Sequence, residues 1–563
     1  MPTADDGGVA VETRDEVTVS PPEQAEESAA GWSTERWALV AFLVVAVVSI
    51  PILLRLGHDR WFQFDDWDFL ASRDGGDLGD LFEPHGAHWS TLPIIAYRAE
   101  WYLFGLHSYW PYQLMCVLSH LTVVLLVRAV IRRAGVRPWT ATAIVLPLVF
   151  FGAGEENVVW GFQINFNMSL AFGLIQLLLA DHDGRVNWRD WLAVLAGLAA
   201  LMSSGIGVTM VVVVAVAVLV RRGWRAAAFQ AAPLGVAYVV WHFVVAGDDL
   251  DRSQSFSGPL DALRFARTTV AAGFGGLAQV PGLGWVLGVL IVGGVVLAWR
   301  GRPVGQLRKV AAAPAAMAVG AFVFVLITAW GRVGFSPGIE RSTRYIHVFA
   351  VLLLPVVAIA ADAVMRRWRV AVPVLAALLV ASLVGNVKDF SNERPYAGEF
   401  LAVYRTMMLA LPQAQLADQV PRDLRPERGL APYVSIGWLL DGVRSGRIPT
   451  PEDTPREVRA TSDVRVVLQE APGHRPSNCE AIAPGTPVTL RAGSSLRLRG
   501  QGQLWVGYTD PSGTVGLVPF QWRGVPVVAF AGPFTVTASS APQGQTVELC
   551  DPDGASVTVP SGP

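Results

Sequence analysis

The chain has 563 residues, 52% of them hydrophobic and 16% charged, with a net charge of −2 and a mean hydropathy of +0.40. Soluble domains carry roughly 25% charged residues, so the composition excludes an ordinary soluble enzyme and points to a membrane protein. The near-neutral charge argues against a nucleic-acid partner, and the scarcity of lysine beside arginine (Lys309 and Lys388 only) suggests a GC-rich bacterial source.

Residues 1–35 are polar and acidic, with Pro21-Pro22 and no apolar period. They predict a disordered cytoplasmic tail. No basic segment opens the chain as in a signal peptide, so the first apolar run is expected to stay as an anchor. Runs approaching the 20 or so apolar residues of a span occur near 37–56, 111–131, 138–154, 164–180, 190–204, 206–220, 227–246, 282–299, 309–330, 346–365 and 369–386. Between them, Arg132-Arg133, Arg185 with Arg189, Arg221-Arg222 with Arg225, Arg300 to Lys309, and Arg366-Arg367 with Arg369 alternate with loops poor in basic residues. The positive-inside rule makes these five groups cytoplasmic. The N-terminus is then inside and, after about eleven crossings, the C-terminal region is outside. Segment 262–280 reads as an interfacial or re-entrant helix.

The expected layout is a transmembrane domain over 36–386 with a large first outer loop at 57–110. A helical, Pro-rich connector follows at 387–459, and an extracytoplasmic β-sandwich or jelly roll at 460–563. The last assignment rests on short β-rich runs such as "VRVVLQ", "PVTLRA", "QLWVGYTD" and "QTVELC", separated by turns such as Asp510-Pro511-Ser512-Gly513. Cys116 lies in an apolar run and reads as an inert core thiol. Cys479 and Cys550 bracket the β-rich segment and are expected to form a disulfide, which suits an extracytoplasmic compartment. Trp505, Tyr508 and Trp522 could form a sugar platform, although at strand spacing such residues are more often core.

The first outer loop opens with "RWFQFDDWDFLASR". Asp65, Asp66 and Asp68 stand among aromatic residues, in a loop predicted to carry one or two short amphipathic helices on the membrane. Carboxylates in such a partly dry setting can act as bases. The plainer alternative is that they only pair with Arg60 and Arg73. A second outer cluster, "GEENVVWGFQINFN", supplies Glu155, Glu156 and Gln163. A third, "WGRVGFSPGIERSTRYIH", supplies Arg332, Arg341, Arg344 and Tyr345. Arg341 and Arg344 would share one helix face, and arginine forks suit phosphate oxygens.

The first span followed by an acidic pair, the amphipathic loop, and the late Ser342-Thr343-Arg344-Tyr345 element together resemble the GT-C superfamily of polytopic glycosyltransferases, in particular bacterial cell-envelope members. The resemblance covers roughly 36–386 by layout. It implies inverting transfer of a sugar from a polyprenyl-phosphate donor to an envelope glycan or glycolipid on the outer face. Asp65 or Asp66 would be the base, and Arg332, Arg341 and Arg344 would hold the donor phosphate. Trp67, His88, Trp89, Gln163 and Tyr345 would contact substrate, and Asp68, Glu155 and Glu156 would serve the acceptor or a metal. Some branches use a divalent cation (Mg, Mn or Ca) and others none, and the residues leave both open. Two other classes compete. A transporter or flippase of a lipid-linked sugar would need polar groups within the spans, where Gln176, His120, His242 and Asp362 are the main exceptions. A non-catalytic envelope scaffold would leave the acidic loop without a purpose.

Overall fold

The computed structural model describes residues 23–73, 78–86, 88–246, 258–280, 282–334, 337–392, 394–500, 502–513, 515–522, 525–541 and 545–550. The chain is a helical bundle followed by a connector and two antiparallel sheets. All eleven runs predicted as spans are helical, but they are unequal. Seven described helices are long and apolar enough to cross a membrane, or eight if one bent pair counts as a single span. The helices Pro138–Val149, Trp188–Leu201 and Ile206–Arg222 have 12, 14 and 17 residues. At 1.5 Å per residue these are shorter than a bilayer core of about 30 Å. The 138–154 run is an α-helix only to Val149, and Gly152 beyond it is pressed against the Asn386 carbonyl, which a side chain there would strike.

The N-terminal boundary also differs from expectation. Residues 1–22 lie outside the described residues, but from Glu23 the chain is already helical, in one helix Glu23–Leu56. Glu, Gln and Ala are good helix formers, so the polar segment extends the first helix beyond its apolar run. Val40, Val44, Val47 and Val48 are exposed along it, as a lipid-facing helix requires.

The five basic groups meet at one end of the bundle. Arg128 and Arg132 pair with Glu35, Arg221 with Asp181 and Asp183, Lys309 with Asp183, Arg222 with Asp190, and Arg137 and Arg366 with Asp362. Asp362, charged within a predicted span, is thus a helix-end ion pair. The 57–110 loop and the 150–163 and 338–344 segments gather at the opposite end. The Pro259–Ala278 helix keeps to this second end: Thr269 donates to the Glu340 carbonyl at 2.8 Å, Ser382 to the Leu277 carbonyl at 2.8 Å, and Gln279 to Asp389 at 2.7 Å. It then bends by 86° into Leu283–Trp299.

The connector is not a free linker. Leu401, Tyr404, Leu424, Ile436 and Leu439 share one buried core with Trp61, Phe62, Trp67, Phe69 and Tyr97 of the first loop. The sheet region has strands β1 Leu468–Glu470, β2 Cys479–Ile482, β3 Pro487–Leu490, β4 Ser495–Leu498, β5 Gly502–Thr509, β6 Val515–Trp522, β7 Val527–Ala529, β8 Phe534–Ala541 and β9 Val547–Cys550. They form sheets of order β1-β7-β4-β9-β2 and β3-β8-β5-β6, whose apolar residues make one core with Val464 and Val467. "VRVVLQ" is not a strand throughout: its first four residues end the Arg456–Val467 helix and only Leu468 onward is extended. A short apolar run fits either state, and packing against β5 and β6 decides it here. Asp510 turns the β5–β6 hairpin by accepting from the Ser512 amide at 2.8 Å, with Gly513 at φ 87°. Cys479 and Cys550 face each other across β2 and β9 and are bridged. Closing a loop of 71 residues stabilises by about 4 kcal/mol on a chain-entropy estimate. Cys116 is free and buried. Tyr508 stacks on Phe534 and is buried, so it belongs to the core. The Trp522 side chain and residues 551–563 lie outside the described residues.

Candidate active site

The first loop positions its three acids differently. Phe64, just before them, has φ 48°, a strained value for a bulky residue, and its amide donates to the Leu430 carbonyl at 2.7 Å. The connector thus fixes the turn into Asp65. Asp66 points inward and is wholly buried. It accepts from the Tyr97 hydroxyl at 2.6 Å, the Trp160 indole at 2.8 Å and the Gln63 amide at 3.1 Å. Burial raises its carboxyl to about 7, against the pull of those three donors. Asp66 is therefore the anchor of the loop.

Asp68 is also buried. It accepts from Ser72 and from Arg73 Nη2 at 3.2 Å, and lies 2.5 Å from His85 Nδ1. Burial alone would raise Asp68, but His85, Arg73 and Ser72 outweigh it and hold the carboxyl at about 2. Burial likewise works to lower His85, yet the hydrogen bond to Asp68 and the charges of Asp68 and Asp65 raise it. With Nδ1 committed to Asp68, His85 Nε2 faces Asp65 at 3.7 Å. Asp65 is the open member of the three: its side chain is 37% exposed. A carboxylate at the surface, backed by an imidazole that a second carboxylate orients, is an arrangement suited to general-base chemistry.

His88 leads from the acids to the arginines. It pairs with His85 through two backbone hydrogen bonds, of 2.9 and 3.0 Å. Burial and the positive charges of Arg332, His85 and Arg344 lower its pKa to about 3, so it is neutral at pH 7. Its ring lies against Gly205, where a Cβ would come within 2.6 Å of Nδ1. Arg332 is half-buried at the end of Val304–Arg332. Arg344 is 24% exposed, donates to Ser342 Oγ at 3.0 Å and stands 3.9 Å from Glu156. Glu156 accepts from Ser342 Oγ, Thr343 Oγ1 and the Arg344 amide at 3.2, 2.9 and 3.3 Å, neutralising the start of the Thr343–Arg367 helix. The helix begins there, so Arg341, in the preceding Ile339–Arg341 turn, does not share a helix face with Arg344; it is exposed.

The remaining residues divide. Glu155 is buried and paired to Arg60, so Arg60 serves this second cluster and only Arg73 pairs with the first. Trp67 is buried, donates to Tyr404 at 3.0 Å and packs edge-on to Trp61 and Trp438; it ties the loop to the connector and presents no open face. Trp89 stacks on Trp241 at 5.2 Å and fastens the loop to the Trp224–Trp241 helix. Tyr345 is buried, with the Arg344 guanidinium 5.7 Å over its ring. Gln163 is wholly buried, and neither of its amide atoms has a hydrogen-bond partner in the protein. Among the described residues no group of three or more His, Cys, Asp or Glu side chains is arranged to hold a metal ion. Asp68, Glu155 and Glu156 are committed to partners in the protein.

The expected amphipathic helix is Thr91–Phe104, which buries Ile94 and Tyr97 and exposes Ile95, Tyr102 and Leu103. The sequence does not pair His85 with the acids. The partner of His85, Asp68, is 17 residues away, and no local pattern links the two.

No protein-family model and no curated protein matches the chain. Among solved structures, the crystal structure of ArnT from Cupriavidus metallidurans in the apo state is similar to it. The match covers 90% of this chain and 100% of that one, at 14% identity and a TM-score of 0.45.

Proposed function

We propose that the chain is an inverting, GT-C-type glycosyltransferase of the bacterial plasma membrane. It moves a sugar from a polyprenyl-phosphate donor to an envelope glycan or glycolipid on the outer face. The observation that carries this reading is the pairing of an open, histidine-backed carboxylate with a basic cluster across one turn. Asp65 faces His85 at 3.7 Å, and the positive charges of Arg332 and Arg344 act on His88 at the other end of the same turn. All of it sits at the end of an apolar bundle, where an amphiphilic donor and a polar acceptor can meet.

Asp65 takes the proton of the acceptor hydroxyl as the oxygen attacks the anomeric carbon. The bond from that carbon to the polyprenyl phosphate breaks, and the phosphate leaves as an anion. It needs charge stabilisation more than a proton, which Arg332 and Arg344 supply. His85, held by Asp68, positions Asp65. Neutral His88 is suited to hydrogen-bond a sugar hydroxyl. The test is transfer from a panel of labelled polyprenyl-phosphate sugars by the purified protein: one donor consumed with inversion supports the reading, and binding without turnover in the presence of envelope acceptors moves the transporter reading ahead.

A further inference from the structure

A cavity of about 320 Å³ lies at the other, basic end of the bundle, lined by Gly135, Trp299, Arg302, Asp362, Arg366 and Arg367 among others. Its size is at the low end of the roughly 300–1,000 Å³ of small-ligand sites. Three helix C-termini converge on it: Trp110–Arg133, Leu283–Trp299 and Thr343–Arg367. Their carbonyl ends disfavour an anion, so arginines are expected there simply to neutralise them and to mark the cytoplasmic side. That duty accounts for Arg366, which donates to Asp362 at 2.7 Å and reaches the Gly135 carbonyl at 3.4 Å. It does not account for the excess. Asp362 is the cavity's one acid and is already shared with Arg137, also at 2.7 Å, while Arg302 and Arg367 add two further exposed guanidinium groups. The lining also includes the apolar side chains of Leu297, Ala298 and Ile359 and the ring of Trp299. Guanidinium groups beside apolar side chains between spanning helices match a phosphate joined to acyl chains.

We propose that this cavity binds the headgroup of an anionic phospholipid, its phosphate between Arg302 and Arg367 and the start of its acyl chains along Ile359. The site is separate from the proposed transferase chemistry, and neither depends on the other. The test uses the full chain in neutral detergent, titrated with phosphatidylglycerol or phosphatidylcholine carrying brominated acyl chains. Quenching of Trp299 is isolated by difference from Trp299→Phe. Phosphatidylglycerol is expected to quench at a mole fraction about 25-fold lower than phosphatidylcholine, two arginines each contributing about fivefold. Arg302→Gln and Arg367→Gln should each remove about fivefold of that preference, and Arg302→Lys should keep it. Native mass spectrometry of lipids retained by the wild-type chain gives a readout independent of any variant. Equal quenching by the two lipids, or an unchanged preference in both glutamine variants, overturns the proposal. Relief of quenching by millimolar inorganic phosphate would assign the site to a free anion and overturn the lipid.

Discussion

The two ends of the bundle handle charge in opposite ways. At the basic end, acids are met by arginine from a neighbouring helix end, as Arg221 meets Asp181, Arg222 meets Asp190 and Arg137 meets Asp362, or from one turn along the same helix, as Arg366 meets Asp362. Those pairs tie adjacent elements and leave a surplus of positive charge. At the acidic end, one short stretch of loop brings three carboxylates and gives them three different fates. Asp66 is satisfied by neutral donors, Asp68 by a histidine and an arginine, and Asp65 stays open. Charge at the first end holds the fold together, whereas charge at the second is graded by burial, which is how one chain keeps an acid available next to two that are not.

The sharpest way to break this contrast is at Asp65. Asp65→Asn should lower the transfer rate by about 10³-fold, near 4 kcal/mol of barrier, with little change in melting temperature, since the side chain is partly exposed. Asp66→Ala should do the reverse. It leaves the Tyr97 hydroxyl, the Trp160 indole and the Gln63 amide without their acceptor, and should cost about 3 kcal/mol of stability, seen as a lowered denaturation midpoint in detergent. Arg344→Gln should raise the half-saturating donor concentration about tenfold, read by titrating the donor at fixed acceptor.

The pH dependence of stability sharpens the comparison further. Asp66 is raised to about 7 by burial, so the stability linked to its protonation is complete below the ordinary carboxylate range and is lost as pH rises through about 7. His85 is also raised: burial works against this, but Asp68 and Asp65 prevail. Its share is complete below about 6.5 and lost as pH climbs through the folded value. Asp68, held at about 2, contributes above the ordinary carboxylate range and loses its share only as pH falls through about 2. The melting temperature should therefore decline from about pH 4 to about 7 on account of Asp66 and from about pH 6.5 upward on account of His85, and Asp66→Asn and His85→Gln should each flatten their own part of that decline. The smallest effect belongs to the basic end. Arg137→Gln leaves Asp362 paired to Arg366, so it should cost about 1 kcal/mol or less and leave transfer unchanged.

Much of this was legible in the sequence, for physical reasons. The spans and the two-sidedness of the loops follow from apolar run length and arginine placement, both local properties. The disulfide followed from two cysteines bracketing one β-rich segment. What was not legible depends on distance along the chain. The hydrogen bonds that bury Asp66 come from 31 and 94 residues away, so no pattern near "FDDWDFL" ranks its acids. Trp67 and Trp89 are expected from the resemblance to contact substrate because nothing local reveals Tyr404, Trp438 and Trp241, which pack against them. The arginine spacing at 341 and 344 suggested one helix face because the sequence does not show Glu156 fixing the helix start between them.

The most direct measurement is single-turnover transfer from the donor that the panel selects, run in parallel with equilibrium donor binding, for wild type and Asp65→Asn. The account predicts equal donor binding by both proteins and transfer by the wild type alone. Transfer by Asp65→Asn at the wild-type rate would contradict it.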